Sequence, residues 1–383
     1  MRPSSFLRSI GPCVLMLVTL GAQYGCQPAH APQDSTRPAE RPDAESEAAQ
    51  PKEPATGPED EGPGDSPVSG SESTNALLDV PLGLPPVPVP DDNPQAPEKI
   101  ALGKMLYFDK RLSKDGTISC ATCHDPEMAW TEHRATSKGI DGQIGPVNSP
   151  TVINAAYAKK QFWDGRAESL EEQALGPIEN PIEMGHDLDV LVKELAEIRE
   201  YKEGFEKVFG TEVTKDGIAK AIASFERTIL SGNSPYDRFE AGDKDALTES
   251  QKRGMELFDG LSCSTCHPPP LFSNYGYYNA GVGMDKEQPD EGRKAVTKND
   301  RDLGKFRVPS LREVANTGPY YHDGSVKTLE EAVAIMAGGG KDDPKVSAML
   351  KGLRDEEVSE QDKKDLVEFL KALSGEFPGQ DDI

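Results

Sequence analysis

The sequence predicts a mainly α-helical chain built from two related helical domains with long loops. Three observations carry this expectation. Two segments show amphipathic helix patterns, strand-like alternating runs are scarce, and one short unit occurs twice. The 383 residues suffice for two domains of ordinary size. The formal charge of -24 excludes nucleic acid as a partner, since phosphate binding needs a basic surface.

Residues 1–26 read as an export signal. Arg2 and Arg8 form a basic start, and the apolar run from Ile10 to Leu20 is too short to span a membrane as a helix. Cys13 reads as a small apolar residue of that run. Cys26 closes the segment, as the acylated cysteine of a bacterial lipoprotein does, although "AQYGC" fits the lipobox poorly. Two outcomes stay open: a lipid anchor at Cys26, or cleavage to a soluble periplasmic protein. Residues 27–78 are rich in Pro, Glu, Asp, Gly and Ala. Such a stretch buries too little apolar surface to offset chain entropy and reads as a disordered acidic linker.

The repeated unit follows. "GKMLYFDKRLSKDGTISCATCH" starts at Gly103 and "GMELFDGLSCSTCH" at Gly254. Each runs Gly-x-x-Leu-aromatic, then a loop, then Cys-x-x-Cys-His. Each is followed later by an amphipathic helix pattern. The first carries Ile218, Ile222, Phe225 and Ile229 on one face, and the second Leu366, Phe369, Leu370 and Leu373. The polar stretch "SGNSPYDRFEAGDKDALTES" separates them, which places domains at 79–240 and 241–383.

Cys-x-x-Cys-His is the attachment signal for covalent haem c. Cys120 and Cys123, then Cys263 and Cys266, would bind two haems through thioethers. His124 and His267 would ligate the irons. A redox dithiol does not explain a His after both pairs, and zinc fits an exported protein less well than haem. Each domain thus reads as cytochrome c-like with one covalently bound haem c. Electron carrier and enzyme both remain open at this point.

"PVNSPTVINAAYAKKQFWDGRAESLEEQALGPIENPIEMG" and "FRVPSLREVANTGPYYHDGSVKTLEEAVAIM" resemble the bacterial dihaem cytochrome c peroxidases, which share a scaffold with MauG-type enzymes. The similarity runs from about residue 85 to 373. The resemblance implies that the N-terminal haem, at His124, reacts with peroxide, and that the C-terminal haem, at His267, transfers electrons. Met336, fourteen residues after His322, would be the second ligand of that haem; a MauG-type enzyme has Tyr there. Read from its helix alone, Met336 is a core residue. Glu183 would be the acid–base group, Gln173 the distal amide and Trp163 the residue between the haems. Asn148, Thr317 and Pro319 would hold calcium, with one side-chain and two backbone oxygens. His322 reads as structural.

The pattern breaks at one position. Many such peroxidases carry a loop His, twenty-three residues before the Trp, that blocks the peroxide-reacting iron in the resting enzyme. Here that position is Ile140, which cannot ligate iron. His133 and His186 are the nearest alternatives, and each reads as an exposed polar residue. The leading expectation is a periplasmic or lipid-tethered peroxidase taking electrons from a small cytochrome c or cupredoxin. A MauG-type oxidase of a protein or organic substrate is the first rival, and a dihaem electron carrier the second. The resemblance also implies a homodimer.

Overall fold

The computed structural model describes residues 77–379. The expected signal peptide, Cys13, Cys26 and nearly all of the expected linker lie outside them. Residues 77–379 belong to one compact unit. Leu78 is buried beside Val87, Tyr157 and Leu230.

The chain is mainly helical. Its longer helices are α1 (Pro97–Phe108), α2 (Leu170–Glu179), α3 (Leu188–Ala196), α4 (Arg199–Phe209), α5 (Lys215–Glu226), α6 (Pro235–Glu240), α7 (Glu249–Gly260), α8 (Leu329–Ala337) and α9 (Glu360–Lys371). Two-residue strands β1 (Tyr277–Tyr278) and β2 (Phe306–Arg307) pair antiparallel. The helix starts follow from their capping residues. Thr248, Thr328 and Ser359 each close a capping box with Gln251, Glu331 and Asp362. Pro97 fits the first turn of α1, where a missing N–H removes no helical bond.

The repeated unit becomes a repeated helix crossing. In the first copy α1 packs on α5, and in the second α7 packs on α9. At Gly103 an added Cβ would fall 1.9 Å from the Ala221 carbonyl oxygen, and at Gly254 1.9 Å from that of Asp365. No side chain fits there, so the helices touch backbone to backbone. The aromatic of each unit packs on a phenylalanine one turn beyond the crossing. Tyr107 lies 5.1 Å from Phe225, and Phe258 5.3 Å from Phe369, both edge to face. One hydrophobic cluster surrounds each crossing. The expected helical faces are buried: Ile218, Ile222, Phe225 and Ile229 in one, Leu366, Phe369, Leu370 and Leu373 in the other.

A buried ion pair ties distant segments together. The Arg312 guanidinium donates to both Asp237 carboxylate oxygens at 2.8 Å, to the Pro270 carbonyl at 2.7 Å and to the Gly83 carbonyl at 3.2 Å. Removing one partner of such a pair leaves an uncompensated buried charge. Residues 375–379 return to the first half of the chain. Phe377 packs on the first cluster, Glu376 bridges to Gly232, and the Trp130 indole donates to the Pro378 carbonyl at 2.9 Å.

Gly254→Ala is expected to destabilise the protein by about 3 kcal/mol, as an overpacked contact does. Gly260→Ala, on the same helix with open space around the added carbon, is expected to change stability by less than about 1 kcal/mol. Thermal melts of the two variants check the contrast.

Candidate active site

One cavity gathers most of the residues singled out in the sequence. Cys120, Cys123, His124, Asn148, Trp163, Gln173, Glu183, Thr317 and Pro319 all line it. Val147, Val152, Ile153, Leu170, Met184 and Ile222 give it apolar walls. The second motif, His267, Met336 and His322 do not line this cavity.

The first motif forms a single helical turn, Cys120–Cys123, capped by a Ser119–Thr122 box. The His124 N–H donates to the Cys120 carbonyl at 3.0 Å, which closes the turn between the first cysteine and the histidine. The second motif repeats this bond, from His267 to Cys263 at 2.9 Å. The four described cysteines are unpaired. The surrounding protein pushes the Cys120 thiol up strongly, Cys123 up to about 12 and Cys263 up to about 11. Burial pushes both histidines down to about 4. They are therefore neutral near pH 7, the form that ligates a metal.

The two histidines differ in support. His267 Nδ1 donates to the Phe272 carbonyl at 2.9 Å, which leaves Nε2 with the free lone pair. The His124 ring lies near the Trp130 and Pro150 carbonyls, yet its buried Nδ1 completes no hydrogen bond. An imidazole with unused polar capacity, two unpaired thiols and apolar walls fit a haem held at Cys120, Cys123 and His124.

Glu183 sits in the turn after α2. Its carboxylate accepts from Asn180 Nδ2 at 2.8 Å. Burial raises its pKa, while the Arg166 guanidinium and the Asn180 bond oppose that rise. The Arg166 guanidinium lies 3.5 Å from the Phe162 ring centroid and also lines the cavity. Gln173 stands on α2 along the same wall. Trp163 links three segments: its indole donates to the Asn148 carbonyl at 2.9 Å, and its own carbonyl accepts from the Arg307 N–H at 2.8 Å. Asn148 also donates through Nδ2 to the Arg134 carbonyl and through N to the His322 carbonyl. Its Oδ1 faces no such donor. No cluster of three or more His, Cys, Asp or Glu side chains fit to hold a metal occurs among the described residues. A cation here would rest on amide and carbonyl oxygens.

Ile140 is buried, and its N–H donates to the Glu183 carbonyl at 2.8 Å. Its Cδ1 fills the space beside Gly185, where a Cβ would meet it at 2.5 Å. Neither alternative histidine lines the cavity. His133 is exposed, with Nε2 at 2.9 Å from the Asn316 carbonyl. His186 is buried, which corrects the expectation of an exposed residue. It lies 3.1 Å from the Glu194 carboxylate, a contact eight residues away that the local sequence does not announce. Among the residues lining the cavity, His124 is the single histidine. Met336 occupies the last turn of α8, half-buried. His322 is buried and stacked on Phe306 at 3.5 Å.

Sequence reasoning missed Asn180, Arg166 and Glu226. Glu226 lies on α5, lines the cavity and has a buried oxygen without a partner. Nothing in the local pattern separates it from a solvated helix position. Met349 was missed too; its sulfur lies 3.8 Å from Cys266 Sγ.

A helical scaffold whose cavity joins a histidine, two unpaired thiols and a half-buried carboxylate fits a haem-dependent oxidoreductase. Residues 97–245 match the family model described as di-haem cytochrome c peroxidase. Cytochrome-c peroxidase IdrP1 of Pseudomonas sp. (strain SCT) is 41% identical over 341 residues, covering 80% of this chain and 89% of that protein. Cytochrome c551 peroxidase of Nitrosomonas europaea is 41% identical over 76% of this chain and 84% of its own length. The MauG protein of Methylorubrum extorquens is 38% identical over 76% of this chain and 82% of its own length. The crystal structure of a MauG-like protein associated with microbial copper homeostasis superposes with a TM-score of 0.70 at 34% identity, covering 78% of this chain and 95% of that one. The chain belongs to the di-haem cytochrome c peroxidase family.

Glu226 supplies a test of the buried site. Burial lifts its pKa from the usual 4.5 to about 8. A group raised in the folded state stabilises fully below its unfolded pKa, and that contribution is lost as pH rises through the folded pKa. The protein is expected to lose stability between about pH 4.5 and pH 8, and Glu226→Gln to lose less over that window. Denaturant melts of both forms across the window check this.

Proposed function

We propose that this protein reduces hydrogen peroxide to water at the His124 cavity, with electrons from a small cytochrome c or cupredoxin. One observation carries the reading: Glu183 and Gln173 line the same cavity as Cys120, Cys123 and His124. In this reading residues 79–240 and 241–383 are two cytochrome c-like domains, each holding one haem c by thioether bonds. His124 ligates the first iron, and His267 with Met336 the second. Haem, when bound, supplies the iron that coordinates peroxide and exchanges electrons.

The chain's own groups do the rest. Glu183 takes a proton from the near oxygen of peroxide and returns it to the leaving oxygen. The Gln173 amide orients the two oxygens. Trp163 carries electrons between the domains, held by its bonds to Asn148 and Arg307. One peroxide, two electrons and two protons give two waters. Calcium at Asn148, Thr317 and Pro319 would brace the Asn148–Trp163 contact. Export through residues 1–26 would place the protein in the periplasm, with Cys26 as a lipid tether and a homodimer as the working assembly.

With Ile140 where many relatives carry the loop histidine, this loop would offer the first iron no ligand in the fully oxidised enzyme. The loop lies on the Glu183 segment through its backbone bond and its side chain in the Gly185 space. This feature also favours the second reading, an oxidase of the MauG type; Met336 favours the peroxidase. Stoichiometric peroxide added to the fully oxidised protein is expected to change the haem spectrum promptly, without reductant. Turnover with reduced cytochrome c separates the two readings. Ile140 packs beside Gly185 and not on the cavity wall. Ile140→His is therefore expected to give a low-spin oxidised haem, reactive only after prior reduction, when the loop turns the ring into the cavity, and an unchanged high-spin spectrum when it does not. Glu183→Gln is expected to slow the peroxide step by about a hundredfold or more. A variant at Glu183 with wild-type rate sinks the assignment.

A further inference from the structure

The turn after α2 is organised around one side chain. The Asn180 N–H donates to the Gly176 carbonyl at 3.1 Å, and Pro181 then prevents the helix from continuing. The Asn180 carbonyl accepts from the N–H groups of Glu183 at 3.0 Å and Gly185 at 2.9 Å. Its Oδ1 accepts from the Ile182 N–H at 3.2 Å, and its Nδ2 donates to the Glu183 carboxylate at 2.8 Å. One residue therefore sets both the backbone of the turn and the direction of the acid. The opposite loop braces the same turn, through Ile140 N–H to the Glu183 carbonyl at 2.8 Å and Gln143 Nε2 to the Pro181 carbonyl at 3.0 Å.

We propose that Asn180 is the positioning residue for Glu183, holding its carboxylate at the cavity wall in the orientation that takes the peroxide proton. This rests on the peroxidase reading of Glu183. The charges that act on the carboxylate are few: Arg166 favours the anion, and the Cys123 thiol lies on the same wall. Burial works against the anion. Burial is the largest influence and outweighs both, so the Asn180 amide N–H, after Arg166, offsets part of the rise while fixing where one carboxylate oxygen points.

Asn180→Asp tests the role with little change of shape. It keeps Oδ1 for the Ile182 bond, removes the donor and places a second acid beside the first. Both changes raise the pKa of Glu183. The group must be deprotonated to accept a proton, so the acid limb of the pH profile moves upward. For the haem-loaded variant, the midpoint for reaction of the oxidised enzyme with peroxide is expected to rise by about one pH unit or more. The rate is expected to fall about tenfold on the acid side and to recover to within about twofold above the new midpoint. The carboxylic-acid infrared band, recorded without peroxide and identified by its loss in Glu183→Gln, is expected to titrate with the same displacement. An unmoved midpoint in both readouts, or a rate lowered equally at every pH, overturns the proposal and leaves Asn180 a structural turn residue. Should Asn180→Asp not fold, Asn180→Ser keeps an acceptor for Ile182 while its shorter side chain draws the donor back from the Glu183 carboxylate, and the same midpoints are read. Wild-type peroxide reactivity in Glu183→Gln would instead bring down the reading of Glu183 itself, an outcome distinct from a failure at Asn180 alone.

Discussion

Two backbone-to-backbone helix crossings are the constraint on which the rest of the structure depends. At Gly103 and Gly254 the space that a methyl group would need is taken by a carbonyl of the facing helix. Close approach brings Tyr107 against Phe225 and Phe258 against Phe369. Each aromatic pair seeds a cluster, and each cluster carries its Cys-x-x-Cys-His turn at one edge. The motif holds its shape by a local bond, from His N–H to the first Cys carbonyl. Its place in the molecule comes from the crossing.

From this shared frame the halves diverge. A longer loop separates Gly103 from its motif than separates Gly254 from the second. The first half adds the segment carrying Trp163, Gln173 and Glu183, and these close over His124 to make a cavity. The histidine of the second half is tied through Nδ1 to Phe272, whereas the first histidine has no such tie. A hydrogen bond to the far nitrogen makes an imidazole more electron-rich toward a metal. The later half still supplies Tyr275, Arg307 and Thr317 to the wall of the first cavity.

Periodic and local features were legible in the sequence. The buried faces of α5 and α9, the glycine-aromatic units and the cysteine turns all leave marks at fixed spacing. The helix patterns ran a few residues long. α5 ends at Glu226 and α9 at Lys371, where the last residues turn over carbonyls behind them. Glu183 and Gln173 were legible only through resemblance, because nothing nearby distinguishes them from other carboxylates and amides. Asn180, Glu226 and the Arg312–Asp237 pair were not legible. The pair joins positions 75 residues apart, and such a contact imposes no period on either segment. His186 shows the same limit. A polar residue reads as exposed until a partner such as Glu194 is known.

The return of residues 375–379 has a consequence for how the chain acquires its shape. The Trp130 indole lies deep in the first cluster, and its hydrogen-bond partner, Pro378, is 248 residues further on. Phe377 fills the margin of that same cluster. Without residues 375–379 in place, the earlier half has an indole N–H unanswered and an apolar edge uncovered. It waits for the late segment to supply both. Long-range closure of this kind makes folding slow and keeps sticky surface in the open meanwhile. The two halves look like independent modules by sequence, yet the first becomes complete only when residues 375–379 have joined it.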